Sequence, residues 1–171
     1  MRYTAEVGTW RSKRRATHTM LIHSRRVIRF LKRDYHITNL ALAFLSRAGN
    51  EYLERKQKTS AAFVVCETFI GTLASNTAQA VAERSLASAE IERAQVNFAV
   101  LSPNSVRLAR LLQETDHILE RLMLLELENL IPHTDRIMLS RQMLDALVAI
   151  KDAALSNAAP ASTDDSVALA L

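Results

Sequence analysis

A chain of 171 residues with 49% apolar and 5% aromatic side chains can bury one core, packed mainly by Leu, Ala, Val and Ile, and is expected to form one domain. The single cysteine, Cys66, excludes an internal disulfide, lies in an apolar run and fits a reduced, cytoplasmic setting. No uninterrupted apolar run approaches the roughly 20 residues that span a bilayer, and no secretory apolar segment follows the basic N-terminus, so neither membrane insertion nor export is expected.

Three Gly and three Pro in such a chain argue for long helices, and the expected fold class is mainly α with a minor β component. Residues 1–15 read as a basic arm holding Lys13, Arg14 and Arg15, with Trp10 placed either to pack on the body or to stack on a base. Residues 16–23 have strand composition: Thr17, Thr19, Leu21 and His23 face one way, and His18, Met20 and Ile22 the other. Ser24 is placed to cap a helix beginning Arg25-Arg26 and ending around Asp34 to His36. Thr38 or Asn39 would cap a second helix, on which Ile37, Leu40, Ala41, Phe44, Leu45, Ala48 and Tyr52 follow helical spacing.

A long helix is expected from Thr59 to about Arg93, because Phe63, Cys66, Ile70, Leu73 and Thr77 recur every three or four residues. Gln95 to Leu101 alternates as a second strand. Ser102 and Pro103 then mark a helix start, and this helix could run to Asn129. Its leucines cover more than one face, which makes it either central in the monomer or shared with a second subunit, and a homodimer is the expectation drawn. Leu130-Ile131-Pro132-His133 breaks it. Thr134 would cap the last helix, with Ile137, Met138, Leu144, Leu147 and Val148 as its inner stripe. The expected plan is one domain over 1–155: arm 1–15, strand and two helices 16–57, helical dimerisation body 59–155, and a patternless tail 156–171 read as disordered.

Function is drawn first from charge. Residues 1–35 contain ten Lys and Arg against Glu6 and Asp34, a net +8. The whole chain carries +4, so the remainder carries −4. A basic arm on a mildly acidic body is the footprint of a polyanion binder, with double-stranded DNA as the expected partner. Catalysis has no comparable support. There is no Gly-rich phosphate loop, G-x-S-x-G or C-x-x-C, and the lone E-x-x-H of Glu114 and His117 lacks the second copy a di-iron bundle needs. Neither enzyme activity, cofactor, metal nor small-molecule substrate is expected.

A short strand with a polar face, a capped helix, a turn and a second capped helix is the layout of a ribbon-helix-helix unit, here elaborated by a long-helix bundle. In such a unit two chains pair strands into a ribbon that enters the major groove. Thr17, Thr19 and His23 would read base edges. Lys13, Arg14, Arg15, Arg25 and Arg26 would hold phosphates, as would N–H groups near Thr38 and Asn39. The alternative is an ordinary edge strand lying beside Gln95 to Leu101, with the arginines serving solubility.

Two stretches carry a family resemblance. One is Leu21-Ile22-His23-Ser24-Arg25-Arg26. The other is Val100-Leu101-Ser102-Pro103, then Leu108-Ala109-Arg110-Leu111-Leu112, then Asp116, and later Leu130-Ile131. Together they resemble the AcaB-like proteins of conjugative plasmids and integrating conjugative elements, over roughly residues 16–150. The resemblance implies a dimeric transcription regulator that binds promoter DNA and activates transfer genes. A second functional reading stays open: a non-enzymatic helical adaptor whose basic segment binds an acidic protein or a membrane surface.

Overall fold

A computed structural model describes residues 5, 6, 16–84, 86 and 92–156. In chain order its elements are β1 (Ala5–Glu6), β2 (Ala16–Ile22), α1 (Arg25–Phe30), α2 (His36–Leu45), α3 (Leu53–Glu83), β3 (Ala94–Val100), α4 (Pro103–Leu127) and α5 (His133–Leu155). The chain is thus mainly helical, with one small sheet. Trp10, Lys13, Arg14, Arg15 and the tail beyond residue 156 lie outside the described residues.

The alternation read in 16–22 holds. Met20 and Ile22 are buried, while Thr17, Thr19 and Leu21 are exposed. The strand's partner is β3 of the same chain, antiparallel, in a register that sets Thr17 against Ala99, Thr19 against Asn97 and Leu21 against Gln95. β1 lies parallel on the other edge of β3. β2 is therefore an edge strand beside β3, the alternative placement read for residues 16–23, and the edge that faces β3 pairs within the chain rather than with a second copy. The cause is shared amphipathicity: Val96 and Phe98 are buried on β3 as Met20 and Ile22 are on β2, so the paired strands close one core.

Ser24 caps α1 as expected, its hydroxyl accepting from the Arg26 N–H at 3.3 Å. The turn expected around Asp34 to His36 is absent. Leu31–Tyr35 instead forms a π-helical turn that carries α1 straight into α2. Asp34 stays inside this path because its carboxylate accepts from Arg33 Nε at 3.0 Å and Lys151 Nζ of α5 at 3.1 Å. Thr38 donates its hydroxyl back to the Asp34 carbonyl at 2.8 Å. Thr38 and Asn39 are thus mid-helix positions, and the expected N-terminus with free N–H groups does not form there.

α4 is the central helix. It packs on α3 and α5 and also meets α1, α2 and β2. Both apolar faces of α4 are satisfied within the chain, with Leu108, Leu112, Ile118 and Leu122 buried. α3 begins at Leu53, earlier than its apolar pattern indicates, and ends at Glu83. It is the one described helix long and apolar enough, by length and composition, to cross a membrane. One side of it (Phe63, Cys66, Ile70, Thr77) is buried, and the other exposes Val64 and Val65. α5 starts at His133 with Pro132 before it, so Thr134 is not its cap. Its inner stripe is Ser140, Met143, Leu147, Ile150 and Ala154, whereas Met138 is half exposed. The apolar residues 137, 138, 144 and 148 misplace the stripe because Ser140 and Ala154, small enough for close helix packing, occupy it instead.

Candidate nucleic-acid interface

The outer face of the sheet carries Thr17, Thr19 and Leu21 from β2, with Asn97, Gln95 and Ala99 opposite them on β3. The Thr19 hydroxyl donates to Asn97 Oδ1 at 2.9 Å, which leaves the Asn97 amide nitrogen as an outward donor. Asn97 and Gln95 were not among the residues singled out from sequence. The signal for them was the alternation of 95–101, usable only once β3 is known to pair with β2.

The inner face is held by ring and amide contacts. Tyr35 meets Phe98 edge-on at 4.8 Å, and His18 lies against the same ring at 5.4 Å. The Tyr35 hydroxyl donates to the Ala99 carbonyl at 3.2 Å. Burial holds this phenol well above its ordinary range, so it stays a neutral donor. Asn39 works beside it, donating to the Ala99 carbonyl at 2.9 Å and accepting the Leu101 N–H at 3.3 Å. Asn39 is therefore a buried support for the end of β3 and Thr38 a buried residue bonded within its own helix, and neither is a surface anchor.

His23 is likewise committed inward. Its backbone N–H and its ring Nδ1 both meet Asp116 Oδ2, at 3.1 and 2.9 Å, and the Ser24 N–H reaches Asp116 Oδ1 at 2.9 Å. Asp116 comes from α4 and is 2% exposed. One carboxylate thus fixes the joint at which the ribbon becomes α1, and His23 is withdrawn from base reading by it.

From that joint Arg25, Arg29, Lys32, Arg33 and His36 fall on the exposed side of the continuous helix, with Arg26 half buried beside them. Arg25, Arg26 and Arg29 form no ion pair among the described residues. The same side continues into exposed Ile37, Leu40 and Phe44.

The remaining chemistry-bearing residues are structural in placement. Glu114 faces Arg121 at 3.7 Å. Among the described residues no three His, Cys, Asp or Glu gather as a metal site. Arg107 forms a two-bond pair with Glu67 at 2.9 and 2.8 Å and lies over the Phe63 ring, tying α4 to α3.

The fold these elements define is a small sheet, built on the antiparallel β2–β3 pair with β1 parallel at its other edge, closed by a long-helix bundle. A solved structure shares it: selenomethionine-containing AcaB from uropathogenic E. coli, which aligns with a TM-score of 0.73 over 84% of this chain and 78% of that one, at 10% sequence identity. At that identity the likeness is one of fold. No family model matches the chain, and no curated protein matches its sequence.

Proposed function

We propose that this chain is a non-enzymatic regulator that binds double-stranded DNA, reading base edges with the outer face of its ribbon and holding phosphates with the arginines of α1. The observation that carries the reading is the polar outer face of the antiparallel β2–β3 pair, at the open edge of a three-stranded sheet, leading into a helix that presents Arg25, Arg26 and Arg29 without acidic partners among the described residues. A two-stranded ribbon fits the major groove, and arginines without intramolecular partners suit phosphates. Thr17, Thr19, Gln95 and Asn97 are the readers, with Asn and Gln matched to adenine edges. Lys13, Arg14 and Arg15 directly precede β2 in sequence and add phosphate contacts. The sequence resemblance supports a role in activating conjugative transfer genes, while the fold shared with AcaB supports the architecture alone.

A homodimer belongs to the same proposal. Among the described residues β2 has no partner on its outer edge, and an open edge strand is a template for a second copy. Two ribbons would then present two reading faces, and light scattering in solution gives the mass that decides this.

The main test is a gel shift across salt concentrations. Arg25→Ala with Arg26→Ala is expected to weaken binding to every duplex, and Thr17→Ala with Asn97→Ala to erode preference for one sequence. If both pairs bind duplex DNA like the parent at moderate salt, the reading fails. The exposed Ile37, Leu40 and Phe44 favour the second reading, an adaptor for an acidic protein. The absence of any shift on random duplex at low salt would support it.

A further inference from the structure

A second cationic feature lies apart from the ribbon's outer face. α1 and α5 enclose a groove of about 350 Å³. Arg26 and Arg29 line one wall and Arg141 the other. None of the three guanidiniums has a carboxylate or carbonyl partner among the described residues. Asp34 also lines the groove, but Arg33 and Lys151 already neutralise it. Asp145 is the remaining acid, so the groove keeps an excess of two positive charges.

The walls between these charges are apolar. Ile137, Leu144 and Val148 line the α5 side, all partly exposed, and recur with Arg141 at helical spacing. Phosphate chains need no such floor, and a duplex backbone would leave it unused. A planar guanidinium binds a phosphate through two parallel N–H bonds, and an aliphatic wall takes the face of a flat ring. The volume lies at the low end of small-molecule sites, which begin at about 300 Å³.

We propose that this groove is a binding site for a small ligand that joins phosphate groups to a flat apolar portion, the class of the nucleoside phosphates. Arg29 and Arg141 hold the phosphates from opposite walls, and Leu144 and Val148 take the ring. Arg26 and Arg29 serve both this groove and the duplex face, so an occupied groove competes with DNA for them.

Calorimetric titration of the full chain tests the proposal with ATP, adenosine and pyrophosphate as probes. ATP is expected to bind at least about tenfold more tightly than either fragment, because each supplies only half of the contacts. Arg29→Ala and Arg141→Ala are each expected to weaken ATP by about tenfold, the value of one charge-assisted pair. Both side chains are exposed, and unchanged melting temperatures confirm folding of the variants. Lys58→Ala, on the far charged segment of α3, should leave ATP binding unaltered. Absence of ATP binding at millimolar concentration overturns the proposal, as does binding that survives both arginine substitutions. So does loss of duplex binding on Arg141→Ala without nucleotide, which would assign the groove to DNA. Saturating ATP is also expected to weaken duplex binding; that expectation alone rests on the DNA reading. A chain that binds ATP in this manner but shifts no duplex removes the DNA reading and leaves this one standing.

Discussion

Asp116 holds the joint between β2 and α1 with one buried carboxylate that accepts two backbone N–H groups and meets the His23 ring. Removing it takes the partner from both N–H groups at a half-buried joint. Asp116→Ala is expected to cost about 3 kcal/mol in denaturant unfolding, and His23→Ala less, because the backbone bonds survive. Cys66 behaves as a buried hydrophobe. Burial, then the neighbouring Glu67 carboxylate, raises its thiol from 9.0 to about 12. Native protein should therefore alkylate with iodoacetamide at least about a hundredfold more slowly than urea-unfolded protein. The folded chain holds this proton more tightly than the unfolded one. The stability it contributes is complete below pH 9 and is lost as pH rises towards 12, which urea midpoints across that window measure. Tyr35 adds in the same direction.

At the scale of elements, α4 is the helix that meets the most neighbours: α3, α5, α2, α1 and β2. Leu112 is fully buried between its neighbours, and Leu112→Ala is expected to cost about 3 kcal/mol by leaving a cavity the rigid bundle cannot close. The turn that returns α4 to α5 depends on Asn129, which has a φ of 56°. Asn tolerates that left-handed conformation and a β-branched side chain does not. Asn129→Val should lower stability by about 1–2 kcal/mol, while Asn129→Gly should be nearly neutral in the same assay. Glu126 fastens this turn to His133 at 2.6 Å and to Arg136. These partners, His133 first, hold its carboxyl below the ordinary range, so the fastening is present above that range and is lost as pH falls through it.

For the molecule as a whole, asymmetry of charge matters more than its sum. Half of the ten basic residues in the first 35 lie on the described helix, at 25, 26, 29, 32 and 33. If they neutralise phosphates, the salt dependence of duplex binding is steep. Arg25→Ala then reduces the slope of log affinity against log salt by about 1, which filter binding at several salt concentrations reads directly. The mildly acidic remainder forms the bundle that holds the β2–β3 pair and supplies the α5 wall of the groove against α1.

Much of this organisation was legible in local pattern. The period-two alternation of residues 16–22 and 95–101, the Ser24 and Ser102 caps and the charge of the first 35 residues depend on near neighbours alone, and a sequence records near neighbours directly. What only the tertiary structure decided is who meets whom. β2 pairs with β3 across a separation of 72 to 84 residues, which brings Gln95 and Asn97 beside Leu21 and Thr19 on the outer face of the sheet. Asp116 reaches back to His23 from α4 and withdraws it from that face. Asp34, neutralised by Lys151 of α5, lets the helix run through the expected turn and buries Thr38 and Asn39. In each case the deciding partner is distant in the chain, and its contacts form only when folding brings it near, so local pattern does not record them.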